Sequence, residues 1–231
     1  MGKIIVKNLT KELGGRKVLK NVSFELEAGG VYGFCGRNAS GKTMLLRAVS
    51  GLLIPTSGSV QVFGKKLSDG AFPDSMGLML ADVELVNWLT GYENLELLAA
   101  TRGIAGRKEI ERAMQRMNLD PNDKRKYKAY STGMKRRLVI AQAIMESPEL
   151  LILDEPTNGL DDASVELFRN VIMEEKARGS TCLISTHLID DIFPLCDRVF
   201  KMTAGICEEI TGGEGESSES VQELYREIRR R

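Results

Sequence analysis

The sequence predicts an α/β fold: a mostly parallel core sheet covered by helices, with antiparallel strands at the N-terminus and a helical segment inserted within the chain. Three observations predict it. Short β-prone apolar runs alternate with helix-like runs through most of the 231 residues, as expected when parallel strands are joined by helical crossovers on both faces. The run Val31-Tyr32-Gly33-Phe34-Cys35 passes into Gly36-Arg37-Asn38-Ala39-Ser40-Gly41-Lys42-Thr43 and then into a helical run from Lys42 to Ser50. A second apolar run, Leu150 to Leu153, delivers Asp154 and Glu155 at its carboxyl end, the edge of an open α/β sheet where ligands sit.

Residues 3 to 9 and 22 to 27 alternate apolar and polar side chains, the mark of half-buried strands. Gly14-Gly15 reads as the turn between them. Residues 54 to 58 read as another turn, and Ser59 to Gly64 as a strand. From about Asn87 to Met145 the character becomes helical. Thr90 is placed to cap a helix over Gly91 to Thr101, with Glu93 as its capping-box partner. Ile110, Ala113, Met114 and Met117 give Lys108 to Met117 a helical spacing, and Met134, Leu138, Ala141 and Met145 do the same for Thr132 to Glu146. After the strand at 150 to 153 come a helix from Ala163 to Arg178, a strand from Thr181 to Ser185, and a hairpin near Val199 to Ile210. Residues 212 to 220 are rich in Gly, Glu and Ser and read as a flexible linker. Val221, Leu224, Tyr225 and Ile228 form one stripe, which suits a short amphipathic helix that docks or a solvated tail that frays.

Lys plus Arg and Asp plus Glu number 32 each, so no global field favours nucleic acid or an anionic surface. The basic runs Lys124-Arg125-Lys126 and Lys135-Arg136-Arg137 read as solvated faces, and no nucleic-acid partner is expected. The four cysteines, Cys35, Cys182, Cys196 and Cys207, form no CxxC pair, which points to buried thiols in a reducing compartment. Lys3 and Lys7 interrupt the apolar start, and no apolar run approaches the ~20 residues that cross a bilayer. The expectation is a chain that is soluble by itself.

Residues 36 to 43 fit Gly, four residues, Gly-Lys and then Ser or Thr, the pattern of a phosphate-binding loop. Gly36 and Gly41 let the backbone turn sharply and approach a ligand. The successive amides form an anion nest, reinforced by the positive end of the following helix. Lys42 reaches the β and γ phosphates, and the Thr43 hydroxyl is a hard ligand for Mg²⁺. Asp154 is placed to hold the same ion, through water or directly, and Glu155 to orient and partly deprotonate a water attacking the γ phosphate. Taken alone, each motif has an ordinary alternative: a glycine turn before a helix, or two exposed acids at a strand end.

Together with these motifs, Tyr130-Ser131-Thr132-Gly133-Met134, Asn158-Gly159-Leu160-Asp161 and His187 in Leu-Ile-Ser-Thr-His occur in the order and spacing of the ATP-binding-cassette (ABC) family. The resemblance covers about residues 3 to 210, and the chain looks like the nucleotide-binding subunit of a transporter. It implies a P-loop NTPase domain over residues 1 to 211, with a helical subdomain at about 87 to 146. It implies ATP and Mg²⁺ as ligands, and ATP hydrolysis as the activity. Ser131, Thr132 and Gly133 resemble the family signature, which contacts the ATP held by a second subunit in a head-to-tail dimer. His187 resembles the switch histidine that meets the γ phosphate, although a lone His is often a satisfied core residue. Asp161 resembles the acid that reads the opposite subunit. The implied partners are a second ATPase subunit, in a homo- or heterodimer, and a membrane permease on a separate chain. The implied location is cytoplasmic, at the inner face of the membrane.

Three departures accompany the resemblance. Ala39 stands where the loop usually has a third glycine, so a Cβ must fit there. The aromatic that usually stacks on adenine falls near Leu13, with Val18 also near, which predicts an apolar base contact instead of a stacked one. The family's Gln loop aligns with Ala81-Asp82, so a polar ligand is missing or Asp82 substitutes. The segment Val83, Leu85, Val86 and Trp88 that follows suits either core packing or the groove for a permease helix. The leading expectation is an ATPase subunit that energises a separate, export-type permease. A soluble ABC-type ATPase of a non-transport machine is the alternative. A P-loop kinase or GTPase fits less well, since no Asn-Lys-x-Asp base reader is present.

Overall fold

The computed structural model describes residues 2–68 and 70–210. A four-stranded antiparallel sheet opens the chain, built from β1 (Lys3–Leu13), β2 (Arg16–Glu27), β4 (Ser57–Val62) and β5 (Lys65–Leu67) in the order β2-β1-β4-β5. The core sheet has six strands: β3 (Val31–Cys35), β6 (Met76–Met79), β7 (Leu150–Asp154), β8 (Thr181–Thr186), β9 (Arg198–Thr203) and β10 (Ile206–Glu209). Their order is β10-β9-β3-β8-β7-β6, parallel throughout except for the edge strand β10. The predicted α/β class with a mostly parallel core sheet and an N-terminal antiparallel sheet is therefore the architecture observed.

The continuous apolar strands feed two cores. Leu151 and Leu153 of β7 join Cys182 and Ile184 of β8 in one apolar cluster, whereas Leu150, Ile152 and Leu183 join the other. Successive side chains leave a strand on opposite faces, so a strand buried on both sides must be apolar at every position. Phe24 of β2, Phe34 of β3 and Phe200 of β9 pack with ring centroids 5.2 to 5.6 Å apart. Contacts of this kind contribute about 0.5–1.5 kcal/mol each beyond area burial, and these fasten the antiparallel sheet to the core sheet beneath the phosphate loop.

The helices are α1 (Lys42–Val49), α2 (Gly91–Arg102), α3 (Arg107–Arg116), α4 (Thr132–Ile144), α5 (Asp162–Ala177) and the short α6 (Ile189–Ile192). The capping box at α2 forms as expected: Thr90 N–H donates to Glu93 Oε2 at 2.6 Å, and Glu93 N–H donates to Thr90 Oγ1 at 3.2 Å. Leu95, Ile110, Met114 and Leu138 of α2 to α4 share an apolar cluster with Leu151 and Leu153 of β7, so the inserted helices rest on the core sheet.

The structure corrects several expectations. β1 and β2 run almost to the Gly14-Gly15 turn, and β4 begins at Ser57 inside the expected turn. Strands β5 and β6 and helix α6 were not foreseen. β6 was hidden by its sequence, because Gly77 is a poor strand residue. A Cβ at Gly77 would sit 1.8 Å from the Ala143 carbonyl, so close packing of α4 onto β6 demands glycine. The run Lys135-Arg136-Arg137 is not a solvated face: all three side chains are half-buried and engaged. The Lys135 ammonium lies 4.9 Å over the Tyr127 ring, Arg136 Nε–H donates to the Asn158 carbonyl, and Arg137 donates to the Met117 and Asn118 carbonyls. Lys124, Arg125 and Lys126 are exposed, as expected.

The four cysteines are unpaired, two buried and two half-buried. Burial pushes the Cys35 thiol up to about 11 and Cys182 up to about 12, which leaves both protonated and unreactive near neutral pH. No helix among the described residues is long and apolar enough to cross a membrane. The expected linker and C-terminal helix, residues 212 to 231, lie outside the described residues.

Candidate functional site

The carboxyl ends of β3, β7 and β8 lie side by side, and the loops that leave them gather the chemistry. A cavity of ≈640 Å³ opens there, against the β1–β2 turn and the β9–β10 hairpin. Twelve of the residues singled out from the sequence line it: Leu13, Val18, Asn38, Ala39, Ser40, Gly41, Lys42, Thr43, Ala81, Glu155, Asn158 and His187. Residues far apart in the chain are thus brought together by the sheet order.

The loop from Gly36 to Gly41 is built for close approach. Gly41 is the N-cap of α1 with φ +112°, and a Cβ there would stand 2.9 Å from the Val18 carbonyl. No side chain caps the first amides of α1. Ala39 also adopts a left-handed conformation, φ +63°, which costs an alanine about 1 kcal/mol relative to glycine. Ser40 is buried, and among the described residues its hydroxyl has no hydrogen-bond partner. Lys42 folds back over the loop, with Nζ donating to the Gly36 carbonyl at 2.7 Å and to the Arg37 carbonyl at 3.3 Å. Gly36 and Arg37 therefore contribute backbone oxygens that aim the lysine.

Behind the loop, Asp154 is fully buried. Its Oδ2 accepts from Thr43 Oγ1 at 2.7 Å, and its Oδ1 accepts from Ser185 Oγ. Glu155 sits one residue on with φ +52°. The Ser185 carbonyl holds its N–H at 3.0 Å. The Glu155 carboxylate bridges two cavity residues: Oε1 lies 3.2 Å from Lys42 Nζ, and Oε2 lies 2.7 Å from His187 Nδ1 and accepts from His187 N–H at 3.2 Å. Lys42 and Glu155 are both more than nine-tenths buried, so this pair is held in a low-dielectric place where removing one partner is expensive.

The site fits a polyphosphate with a hard cation. Uncapped amides, a buried hydroxyl without a partner and a buried ammonium form an anion cradle. Two ligand oxygens on an octahedral Mg²⁺ with bonds of about 2.1 Å sit about 3 Å apart, and the 2.7 Å between Thr43 Oγ1 and Asp154 Oδ2 matches that edge.

Other predicted residues lie elsewhere. Ser131, Thr132 and Gly133 open α4 away from this cavity, where Ser131 Oγ accepts from Met134 N–H at 3.2 Å. Asp161 caps α5 by accepting from Ser164 N–H at 2.9 Å, and hydrogen bonds from Ser164 hold its carboxyl below the usual range. Asp82 does not line this cavity: its largely exposed carboxylate lies 3.2 Å from Arg47. Sequence reasoning missed Arg16, Lys17, Lys20, Met44, Ala204 and Gly205, which also line the cavity. The cluster of Arg16, Lys17 and Lys20 was a readable signal for an anion-facing rim. Ala204 and Gly205 gave none, since their place depends on the hairpin folding over the loop, where Gly205 N–H donates to the Ser40 carbonyl at 2.9 Å.

Comparison with known proteins gives a consistent answer. The family model described as ABC transporter matches residues 19–158. An ATP-binding protein of an uncharacterised ABC transporter, YybJ of Bacillus subtilis, is 42% identical over 206 residues, covering 89% of this chain and 94% of the relative. The lantibiotic transport ATP-binding protein SrtF of Streptococcus pyogenes is 34% identical over 220 residues, 95% of this chain and 94% of that protein. Among solved structures, the dimeric bacterial ABC transporter cassette MJ0796 shares the fold with a TM-score of 0.81 at 24% identity, covering 91% of this chain and all of that one.

Proposed function

The chain belongs to the ABC transporter family, and from that premise we propose that it is the ATP-hydrolysing subunit that drives export through a separate membrane permease. The observation that carries this reading is the meeting of Lys42, Thr43, Asp154, Glu155 and His187 at one cavity in a chain whose relatives are transporter ATP-binding proteins. The similarity to SrtF, a lantibiotic transport protein, supports the export direction.

Each residue has a role in this reading. Residues 36 to 43 wrap the β and γ phosphates with backbone amides, and Lys42 exchanges Glu155 for phosphate oxygens when ATP enters. Leu13 and Val18 offer the base an apolar rim, and Arg16, Lys17 and Lys20 supply positive charge beside it. Thr43 and Asp154 would hold Mg²⁺, which when bound withdraws charge from the phosphate oxygens. Glu155, released from Lys42, accepts the proton of the attacking water. His187 keeps Nδ1 on Glu155, which fixes the carboxylate and leaves Nε2 as the ring atom to meet the γ phosphate.

Ser131, Thr132, Gly133 and Asp161 serve the nucleotide of a second subunit, since within one chain they stand apart from the cavity. The helical segment at about 87 to 146 carries the first three, and Asp161 stands at the start of α5. Trp88 and Val83, with 72% and 40% of their surface exposed, are not core residues. They supply the apolar contact for the permease, while Leu85 packs inward. The location that follows is the cytoplasmic face of a membrane. ATPase assays of the chain purified with its permease test the reading: Glu155→Gln is expected to retain ATP binding and to lower turnover by about a hundredfold or more, the scale of a general base. Full turnover in that variant, or no Mg²⁺-dependent ATP binding by the wild type, would remove it.

A further inference from the structure

Ala81 brings no polar side chain to the nucleotide cavity, and it also lines a second cavity of ≈410 Å³. Arg136, on the early turns of α4, lines that second cavity with Asp82, Glu84 and Tyr127. Its Nε–H donates to the Asn158 carbonyl at 3.2 Å, and Asn158 itself lines the nucleotide cavity. Asn158 N–H donates to the Glu155 carbonyl at 3.3 Å. Arg136 therefore ties the far end of the four-residue turn that begins at Glu155, while the Ser185 carbonyl holds the near end through Glu155 N–H at 3.0 Å.

That turn needs holding. Glu155 has φ +52°, a conformation that a side-chain-bearing residue keeps only when its surroundings over-determine it. The guanidinium also belongs electrically to the site. Burial lowers the Arg136 pKa, and Tyr127, Glu155 and Asp154, in that order, oppose the shift. An arginine stays charged under such opposition, so its field reaches the buried acids.

We propose that Arg136 is a positioning residue for hydrolysis, holding the Glu155–Asn158 turn so that the carboxylate stays aimed into the cavity. The proposal rests on Glu155 acting as the base. Because Arg136 lies just beyond Ser131, Thr132 and Gly133 on the same helix, it also links them to this subunit's own catalytic turn.

The test is steady-state ATP hydrolysis by the full chain with its permease, comparing wild type, Arg136→Met, Arg136→Lys and Glu155→Gln. Misplacement of a reacting group without loss of binding lowers kcat alone, so Arg136→Met is expected to reduce kcat about tenfold with KM for ATP within about twofold of wild type. Arg136→Lys, which restores a charged donor, is expected to recover a large part of the loss. An unchanged kcat in Arg136→Met overturns the proposal. So does a fall in kcat accompanied by an equal rise in KM and a lower Tm, which marks a merely structural residue. If Glu155→Gln leaves turnover intact, the base assignment fails first. If Glu155→Gln abolishes turnover while Arg136→Met does nothing, only the role of Arg136 is lost.

Discussion

Helices α1 and α4 both begin beside a glycine, and they begin in opposite ways. At α1 the N-cap is Gly41, no side chain caps the first turn, and the helix start faces the cavity. At α4 the N-cap is Ser131, whose hydroxyl accepts from Met134 N–H, and the helix start is exposed away from that cavity. A helix leaves its first amides without internal partners. Ser131 satisfies part of that need from within the chain, through the Met134 amide. The α1 start has no such supply, and an anion is its natural complement. In the function proposed above, the difference separates the half of the site that would bind a nucleotide within one chain from the half that would meet a second copy.

The largest expected effect comes from disabling the first half. Lys42→Ala removes the buried ammonium. Two charge-assisted hydrogen bonds to phosphate, at about 1.5–3 kcal/mol each, correspond to at least about a hundredfold loss of ATP affinity. Isothermal titration with Mg-ATP measures it, and unchanged affinity would place the binding determinants outside the loop. A smaller effect, confined to the second half, is expected of Ser131→Glu. It weakens the cap by about 1 kcal/mol and sets a carboxylate where the partner's phosphates would come. ATP binding to the separate chain should be retained, while ATP-induced dimerisation in a Glu155→Gln background, followed by light scattering, should be lost. A dimer that persists would show that the two helix starts do not divide the work as described. The smallest effect tests strain within the first half. Ala39→Gly relieves a left-handed alanine worth about 1 kcal/mol, a strain the nucleotide-free chain already carries, so folding stability should rise by up to about that amount, read by denaturant unfolding, while ATP affinity stays unchanged. A fall in affinity would mean that the Cβ of Ala39 contributes to the cradle.

Legibility followed the range of the interactions. The phosphate loop, the acids after β7 and the capping box at Thr90 and Glu93 were readable because each is a local pattern whose chemistry needs those residue types at that spacing. The burial of β7 on both faces followed from an uninterrupted apolar run that only a doubly buried strand tolerates. Strand β6 was unreadable, since Gly77 answers to the Ala143 carbonyl of a helix far along the chain. Arg136 was misread as solvated because its hydrogen-bond partner, the Asn158 carbonyl, comes from another element. Asp161 was readable only as a resemblance, and the structure adds a local role as the cap of α5.

The sequence by itself determined the α/β class, most of the succession of strands and helices, and the identity of the residues that can hold phosphate and a hard cation. These depend on periodicity and on turns within a few residues, where backbone stereochemistry leaves few choices. Tertiary structure alone decided that Lys42, Glu155 and His187 form one linked group, that the β9–β10 hairpin closes onto the loop through Gly205, and that Arg136 reaches the catalytic turn. Those contacts join segments that approach only when the strands take the order β10-β9-β3-β8-β7-β6. That order is set by the collective burial of both sheet faces, and no single segment encodes it.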